Sequence, residues 1–381
     1  MKSILIVLHC ESNTGFAIAP LELAFYRMAL ALCDNDPTRV HFAYPSMQRG
    51  PTTTLPREFR NYLVLDPTTS DPAEFERARR FLAEHEVDTI FGFDQPVSLP
   101  IYKHYRRAGV KTFVSYWGAP MSSLFGPVRL ALKRVEVLLR RNGPDHYIFE
   151  SKGMADTAVL GRGIARRRTS VVPLGVDIDR FQPDLADNRA IFDTMRIPGD
   201  RKVFFYSGHM EQRKGVEVIM RAANRLAETR RSPDWHIALF GNRDDDHLPY
   251  LTMLEPAARS HVTFGGYRND LHVLQRGCFA AIVASTGWDS FPRSALEAQA
   301  SGLPLLASNL PGLNETVEDG TTGALFPVGD GNALCDAMQR LLDNPAVRDQ
   351  MAEQARKRIV ERYSLDVQLT SLVASVRAAL H

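Results

Sequence analysis

The sequence predicts an α/β protein made of two doubly wound parallel-sheet domains that flank a cleft. In each half of the 381-residue chain, short apolar runs typical of buried strands alternate with stretches typical of helices. This pattern favours a parallel sheet covered on both faces. The alternation stops at the connector 171–177, VVPLGVD, and then starts again. We therefore predict an N-terminal domain over 1–175, joined by the last helix at about 364–381, and a C-terminal domain over 176–363.

The individual elements follow from the same apolar pattern. Strands are predicted at 4–8, 40–44, 62–65, 89–93, 112–115, 146–149, 202–206, 236–240, 262–265, 280–284 and 305–307. Helices are predicted at 21–32, 72–85, 101–108, 127–141, 215–229, 250–254, 271–276 and 295–300, with another helix start after Gly312. After 327 we predict two or three more helices, broken at Asn344-Pro345, with 364–380 as the last. Ligands of such sheets collect at the carboxyl ends of the strands, so the loops that follow strands are the first candidates for a site.

Composition and pattern exclude several classes of protein. Hydrophobic residues make up 44% of the chain and charged residues 24%, which is typical of a globular protein in water. No apolar run reaches the ~18–20 residues of a membrane-spanning helix, and the opening MKSILIVLHCE is interpreted as a buried strand, not a signal peptide. The four cysteines are scattered and are expected to be single thiols in a reducing cytoplasm. We predict a cytoplasmic protein with no nucleic-acid partner.

The strongest functional signal lies in 285–327, which reads as strand, polar loop and helix, twice over. Each loop offers backbone N–H groups at a helix N-terminus, where an anionic ligand is stabilised. Asp289 and Glu297 stand eight positions apart in this segment. Because carboxylates would repel a phosphate, we interpret these two as ligands of sugar and ribose hydroxyls.

A second motif, GHMEQRKG at 208–215, joins a predicted strand to a predicted helix. Glycine lets the backbone approach a diphosphate, and a basic pair at a helix start offsets its charge. Taken alone, a surface loop with solvated bases fits slightly better. The interpretation as a phosphate site gains because 285–327 supplies a second such loop in the same domain.

These motifs, together with the 173–177 connector and the glycines of 302–323, resemble the retaining family 4 glycosyltransferases. The resemblance is strong over about 171–330 and weaker over the first half. It implies the glycosyltransferase-B (GT-B) fold, with two Rossmann-like domains facing each other across a cleft. It also implies transfer of a hexose-type sugar (EC 2.4) from a nucleoside diphosphate sugar to a hydroxyl acceptor, either a small molecule or a lipid-linked glycan. Neither a metal nor another cofactor is expected.

The resemblance also implies roles for single residues. In the second domain, Glu297 would hold the ribose, Asp289 the transferred sugar, and Lys214 with Arg213 the diphosphate, so Lys214, Arg213 and Asp289 form the expected catalytic set. The remaining expected donor-binding residues are Gly15, Gly208, His209, Gly266, Tyr267, Arg268, Phe291, Pro292, Arg293 and Ser294. On the acceptor side we expect Asp94 and Trp117, although a helix N-cap fits Asp94 equally well. Taken alone, Gly15 fits a plain strand-to-helix turn better.

Three positions depart from the family pattern. Asp289 stands where glutamate is usual, which shortens the reach to the sugar. His209 replaces an arginine, which weakens the phosphate clamp near pH 7 unless Arg213 compensates. Trp117 replaces a histidine near the reacting sugar; it cannot carry a proton, but it can stack on a sugar face. Two alternatives therefore stay open: a nucleotide-sugar-binding protein that has lost catalysis, and a sugar-nucleotide epimerase of the same fold.

Two further segments have competing interpretations. The acidic run 244–246 matches the metal-holding motif of other glycosyltransferases, but we predict a solvated turn and no metal. The helix 127–141, PVRLALKRVEVLLRR, is amphipathic and lies in the stretch 101–180, which has 15 basic and 6 acidic residues. Relatives with lipid-linked acceptors use such helices to touch membranes. A helix packed on its own sheet with its bases outward is slightly favoured over peripheral membrane contact.

Overall fold

The computed structural model describes residues 1–15, 18–122, 126–184 and 188–380. The chain forms two compact units, one comprising Met1–Pro173 with the segment from Gln368 onward, and the other Leu174–Val367. Each unit contains a parallel β-sheet with helices. The predicted fold class of two doubly wound α/β domains is therefore confirmed.

The first unit is built on a seven-stranded sheet in the order β3-β2-β1-β4-β5-β6-β7. The strands are β1 (Ser3–Val7), β2 (Val40–Tyr44), β3 (Tyr62–Val64), β4 (Val87–Phe93), β5 (Thr112–Trp117), β6 (His146–Phe149) and β7 (Thr169–Val171). Its helices are α1 (Ala19–Leu32), α2 (Pro72–Glu84), α3 (Tyr102–Arg107), α4 (Pro127–Leu139) and α5 (Lys152–Asp156), which continues as a π-helical turn over Thr157–Arg162. Chain order reverses between β1 and β4, which pair in parallel.

The second unit has a six-stranded sheet in the order β10-β9-β8-β11-β12-β13. The strands are β8 (Lys202–Ser207), β9 (Trp235–Phe240), β10 (Val262–Phe264), β11 (Ala280–Val283), β12 (Leu305–Ser308) and β13 (Gly323–Phe326). Its helices are α6 (Ala190–Met195), α7 (Val216–Thr229), α8 (Leu248–Thr252), α9 (Pro256–Arg259), α10 (Leu271–Leu274), α11 (Arg293–Ala300), α12 (Gly331–Asp343) and α13 (Pro345–Arg362). A last helix, α14 (Leu365–Ala379), begins here and lies mostly in the first unit.

Alternating side chains of β8 show how the second sheet is covered on both faces. Phe204 and Tyr206 belong to one hydrophobic cluster, while Val203 and Phe205 belong to another. Successive side chains of a strand point to opposite faces, so each face of this sheet packs against its own layer of helices. A strand buried on both faces reads as a continuous apolar run, which is why the sequence predicted β8 well.

The short elements were harder to predict. Strands β7 and β13 and helices α5, α6 and α9 were missed, and the helix expected after Gly312 is only a 3₁₀ turn, Leu313–Thr316. The two missed strands lie at the ends of their sheets, and each is only three or four residues long. Their polar or glycine-containing sequences lack the apolar run on which strand prediction depends.

The interpretation of 127–141 as a helix packed on its own sheet with its bases outward is wrong, because no residue of α4 is buried. Helix α4 touches its own unit through Val137 and through Arg134, which donates hydrogen bonds to the carbonyls of Leu160 and Gly161. Most of its other apolar side chains are exposed to solvent, as shown by Leu132 at 66% and Leu138 at 81% exposure. Within the described residues, no helix is long and apolar enough to cross a membrane.

Histidine 41 of β2 makes the first unit sensitive to acid. It is 2% exposed beside Phe81 and His85, and neither ring nitrogen has a hydrogen-bond partner among the described residues. Burial lowers the pKa of His41 to about 4. The unfolded chain takes up this proton near pH 6.5 and the folded chain only near pH 4. Stability from this group is thus complete above pH 6.5 and is lost as the pH falls toward 4.

We expect the free energy of unfolding to drop by up to about 3 kcal/mol from this group between pH 7.5 and 4. The His41→Phe variant should lose much less, because phenylalanine takes up no proton. Urea unfolding of both proteins at the two pH values measures the difference. Burial also lowers the pKa of His236, to about 3. Because both proteins contain His236, its effect on the free energy of unfolding cancels in the comparison. Equal acid sensitivity of the two proteins would contradict the prediction.

Candidate functional site

The candidate site lies where chain order reverses in the second sheet, between β8 and β11. Loops at the carboxyl ends of such neighbouring strands form the usual ligand crevice of a doubly wound sheet. The loop 208–215 follows β8, and the loop beginning at Ser285 follows β11. The backbone N–H of Thr286 donates to the carbonyl of Arg213 over 2.8 Å, so the two predicted phosphate loops touch.

Gly215 sets how closely these loops approach each other. Its φ is +70°, and a Cβ atom there would lie 1.8 Å from the carbonyl oxygen of Ala284. That distance is far inside van der Waals contact, and the backbone conformation also favours glycine. The start of α7 can therefore pack directly against the end of β11, which brings the basic pair before Gly215 to the crevice.

Lys214 and Asp289 form an ion pair at the centre of the site. The Lys214 ammonium lies 2.8 Å from Asp289 Oδ2, and the Ser285 hydroxyl donates to the same oxygen over 2.7 Å. Asp289 is only 5% exposed. The ammonium has three donors and the carboxylate a second oxygen, so both groups keep capacity for a ligand. The sequence predicted the two residues for different parts of the donor, and the structure brings them into contact.

Arg213 is engaged by two neighbouring residues, Trp288 and Glu211. Its guanidinium lies 4.4 Å from the ring centroid of Trp288, donates to the Trp288 carbonyl and pairs with Glu211 at 2.7 Å. His209 is exposed, and its carbonyl accepts a hydrogen bond from the Tyr206 hydroxyl. Of these two residues predicted to bind phosphate, His209 therefore has an exposed imidazole, whereas the guanidinium of Arg213 is already bonded to its neighbours.

The start of α11 supplies the second phosphate loop. Pro292 immediately precedes α11, and the first-turn N–H groups of a helix have no partner within the helix itself. Phe291 is buried with its ring 5.3 Å from that of Tyr363. Arg293 donates to the carbonyl of Gly175, and Ser294 lies beside it in the first turn. This anchoring holds the helix start at the same edge as Asp289.

Glu297 lies one turn further along α11 and is half-buried. Burial raises the pKa of its carboxyl group to about 7, and the charges of Arg293 and Arg180 oppose this shift. The carboxyl group is thus half-protonated near neutral pH and would gain from hydroxyl donors that favour its ionised form. This is the chemistry expected of a group that binds a ribose.

The predicted base-binding loop follows β10. The N–H of Gly266 donates to Asn242 Oδ1 over 2.8 Å. Tyr267 is exposed, with the Arg243 guanidinium 4.3 Å from its ring centroid, and Arg268 pairs with Asp270. Aromatic and guanidinium planes of this kind stack well on a nucleobase.

Arg358 of α13 is a part of this region that the sequence did not reveal. Its guanidinium donates to the carbonyls of Glu315 and Thr316 and to the Tyr363 hydroxyl, at 2.8–3.0 Å, and pairs with Glu318. One nearly buried side chain therefore fixes the loop after β12 and also the ring that packs on Phe291. No local pattern marks it, because its partners are up to 43 positions away.

The predicted acceptor-side residues lie at the carboxyl edge of the first sheet. Asp94 follows β4, and its Oδ1 accepts a hydrogen bond from the N–H of Gly118 over 2.9 Å. The N-cap interpretation of Asp94 is wrong, because Ile101 occupies the N-cap position of α3. Trp117 is half-buried at the end of β5 with its indole nitrogen unpartnered among the described residues. Gly15 has a φ of +123° and lies between β1 and α1.

The acidic run 244–246 forms a turn. The side chain of Asp246 accepts a hydrogen bond from the N–H of Arg243, and its own N–H donates back to the Arg243 carbonyl. Within the described ranges, no group of three or more histidine, cysteine or acidic side chains is placed to hold a metal ion.

Comparison with known proteins identifies a family and relatives of this chain. The model of the family "Glycosyl transferases group 1" matches residues 187–358. The chain is 32% identical over 302 residues to the GDP-mannose-dependent alpha-(1-6)-phosphatidylinositol monomannoside mannosyltransferase of Mycolicibacterium smegmatis, covering 74% of this chain and 75% of the relative.

Two crystal structures resemble it over nearly their whole length. One is a glycosyltransferase from Rickettsia africae, with a TM-score of 0.81 and 15% identity, covering 99% of this chain and 98% of that one. The other is Anabaena Alr3699/HepE in complex with UDP, with a TM-score of 0.79 and 19% identity, covering 98% of this chain and 99% of that one. At these identities the likeness concerns the fold, and it confirms the expected GT-B architecture of two Rossmann-like domains.

Proposed function

The chain belongs to the glycosyl transferases group 1 family, and from this premise we propose that it is a retaining, metal-independent hexosyltransferase. The donor is a nucleoside diphosphate sugar and the acceptor a hydroxyl group. The observation that carries the proposal is the Lys214–Asp289 pair at the reversal of the second sheet, between a glycine loop and the start of α11. A cation, free amides and two carboxyl groups at one edge suit a diphosphate that carries hydroxylated groups on both sides.

Each part of the donor has a partner in this arrangement. The remaining N–H groups of Lys214 and the first-turn amides of α11 bind the diphosphate. Asp289 accepts a hydroxyl of the sugar with its second oxygen, and Glu297 accepts the ribose hydroxyls. Tyr267 stacks on the base. The relatives support both common bases, since one is named for GDP-mannose and another was solved with UDP.

Transfer with retention needs positioning more than proton chemistry. The acceptor oxygen forms a bond to the anomeric carbon, and the bond from that carbon to the diphosphate oxygen breaks. The diphosphate leaves with the electron pair and takes the acceptor proton. Lys214 and the loop amides stabilise the charge that develops on the leaving group, and preorganised donors of this kind supply much of an enzyme's rate enhancement.

A thermal-shift panel of nucleoside diphosphate sugars, run in EDTA, tests the proposal. A cognate donor at ~100 times its dissociation constant should stabilise the protein by ~2.7 kcal/mol, and the same donor should be consumed when hydroxyl acceptors are added. Donor binding without turnover would favour a nucleotide-sugar-binding protein, the alternative that Trp117 and His209 keep open. Conversion of the donor to its epimer would favour an epimerase. Turnover only after magnesium is added would contradict metal independence.

We further propose that α4 binds the inner face of a membrane from the cytoplasmic side, which would suit a lipid-linked acceptor. Exposed apolar side chains run along this helix and continue to Leu160 of the neighbouring π-helical turn. Basic residues flank them: Arg129, Lys133, Arg134, Arg140 and Arg141. An amphipathic helix of this kind binds through buried apolar area and through attraction to anionic lipid.

The protein should therefore sediment with phosphatidylglycerol vesicles and much less with phosphatidylcholine vesicles, with binding weakened by salt. The double variant Leu132→Glu/Leu138→Glu should lose vesicle binding at least tenfold, because it loses apolar area and gains negative charge. Val360→Glu is the matched control, since Val360 is an exposed apolar residue of α13 in the other unit. Equal vesicle binding of the double variant and the wild type would contradict the proposal.

A further inference from the structure

The first sheet has its own reversal of chain order, and two polar side chains stand at it. His9 follows β1 and Asp94 follows β4, the two strands between which the order reverses. The crevice at such a reversal is the expected ligand position of a doubly wound sheet. The side chain of His9 is 42% exposed.

The hydrogen bond of His9 fixes which ring nitrogen is free. Nδ1 lies 3.2 Å from the carbonyl oxygen of Phe93. A carbonyl only accepts, so Nδ1 carries the hydrogen, and in the neutral ring Nε2 keeps its lone pair. The ring also packs at 4.9 Å from that of Phe93. The result is an exposed, oriented hydrogen-bond acceptor at the carboxyl edge of the sheet.

Asp94 is held in an unusual conformation next to this ring. Its φ is +51°, which is uncommon for a residue other than glycine. Its N–H donates to the carbonyl of Tyr116, and Oδ1 accepts from Gly118, which leaves Oδ2 directed at His9 Nδ1 at 4.0 Å. A carboxylate near Nδ1 favours the tautomer of His9 that has its hydrogen on Nδ1 and its lone pair on Nε2.

We propose that Nε2 of His9 binds the acceptor by accepting a hydrogen bond from one of its hydroxyl groups other than the attacking one, with Asp94 as the residue that positions His9. The inference rests on the proposed transferase function. The attacking hydroxyl gives its only hydrogen to the leaving diphosphate, so the hydroxyl that His9 binds is a neighbouring one on the same acceptor. His9 therefore orients the acceptor and takes no proton from it.

The test uses two variants and the cognate donor found in the panel, with glycerol, myo-inositol and water as acceptor probes. His9→Phe keeps an aromatic ring against Phe93 and removes the acceptor nitrogen. His9→Gln provides a side-chain oxygen that accepts a hydrogen bond. We expect His9→Phe to lower turnover with glycerol and myo-inositol about tenfold or more with donor affinity unchanged, the size of one lost hydrogen bond to the acceptor. We expect His9→Gln to restore part of it.

Each outcome separates this inference from the proposed function. Wild-type turnover in His9→Phe would overturn the role of His9 while leaving the transferase intact. Weaker donor binding in that variant, or no recovery in His9→Gln, would show a structural role instead and would also overturn it. Absence of any donor turnover by the wild type would overturn the proposed function and this inference with it.

Discussion

Replacement of Lys214 by alanine is expected to lower sugar transfer by about 10²–10³-fold, the usual loss when one preorganised donor to a developing charge is removed. The ammonium pairs with Asp289 at 2.8 Å, and the two phosphate loops that carry these residues touch each other. Initial rates at saturating donor measure the effect. Lys202→Ala is the matched control, because Lys202 lies in the same unit at the opposite, amino end of β8.

The Lys214 variant also has a structural consequence that must be separated from the catalytic one. Without the ammonium, the buried Asp289 carboxylate keeps only Ser285 as a side-chain partner among the residues that the structure describes, and an uncompensated buried charge is strongly destabilising. The double variant Lys214→Ala/Asp289→Asn removes that charge. It should recover thermal stability without recovering transfer. Recovery of both would mean that Lys214 acts only through the fold and would contradict its catalytic role.

The second large effect is the pH dependence of donor binding through Glu297. Hydroxyl groups of the ribose donate to the ionised carboxylate, so binding must displace any proton on a group whose pKa is about 7. Donor affinity should therefore rise with pH up to about 7 and then level off, with roughly a tenfold loss for each pH unit below it. The effect on stability has the opposite sign. This raised pKa lowers the free energy of unfolding as the pH rises from 4.5 to about 7.

Calorimetric titration of the donor at pH 5.5, 6.5 and 7.5 measures the dependence. Glu297→Gln cannot ionise, so its affinity should be weaker at pH 7.5 but nearly constant with pH. Glu255→Gln serves as the control, because Glu255 is exposed and precedes α9, away from α11. A flat wild-type profile, or an equally steep one in Glu297→Gln, would exclude Glu297 from the ribose site.

The sequence was informative where structure depends on neighbours in the chain. Apolar runs predicted Val40–Tyr44 and His146–Phe149 to the residue, because buried strands need a continuous hydrophobic stretch. It was uninformative where structure depends on distant partners. The contact of Lys214 with Asp289 joins residues 75 positions apart, and nothing in either motif shows that they pair. The same holds for Arg358 and for His9 beside Asp94, which only the order of the strands brings together.

The chain passes from the first unit to the second and back again, and the place where it does so determines how the second unit could be isolated. The second unit, Leu174–Val367, interrupts the first unit. Near its two ends, Val176 forms a parallel bridge with Ser364, with hydrogen bonds to Tyr363 and Leu365 at 2.8 and 3.2 Å. The chain segments that lead into and out of the second unit therefore run side by side and are hydrogen-bonded to each other. A fragment of the second unit would carry every candidate donor residue except Gly15, with its termini adjacent, which is the arrangement that tolerates excision, circular permutation or transplantation best.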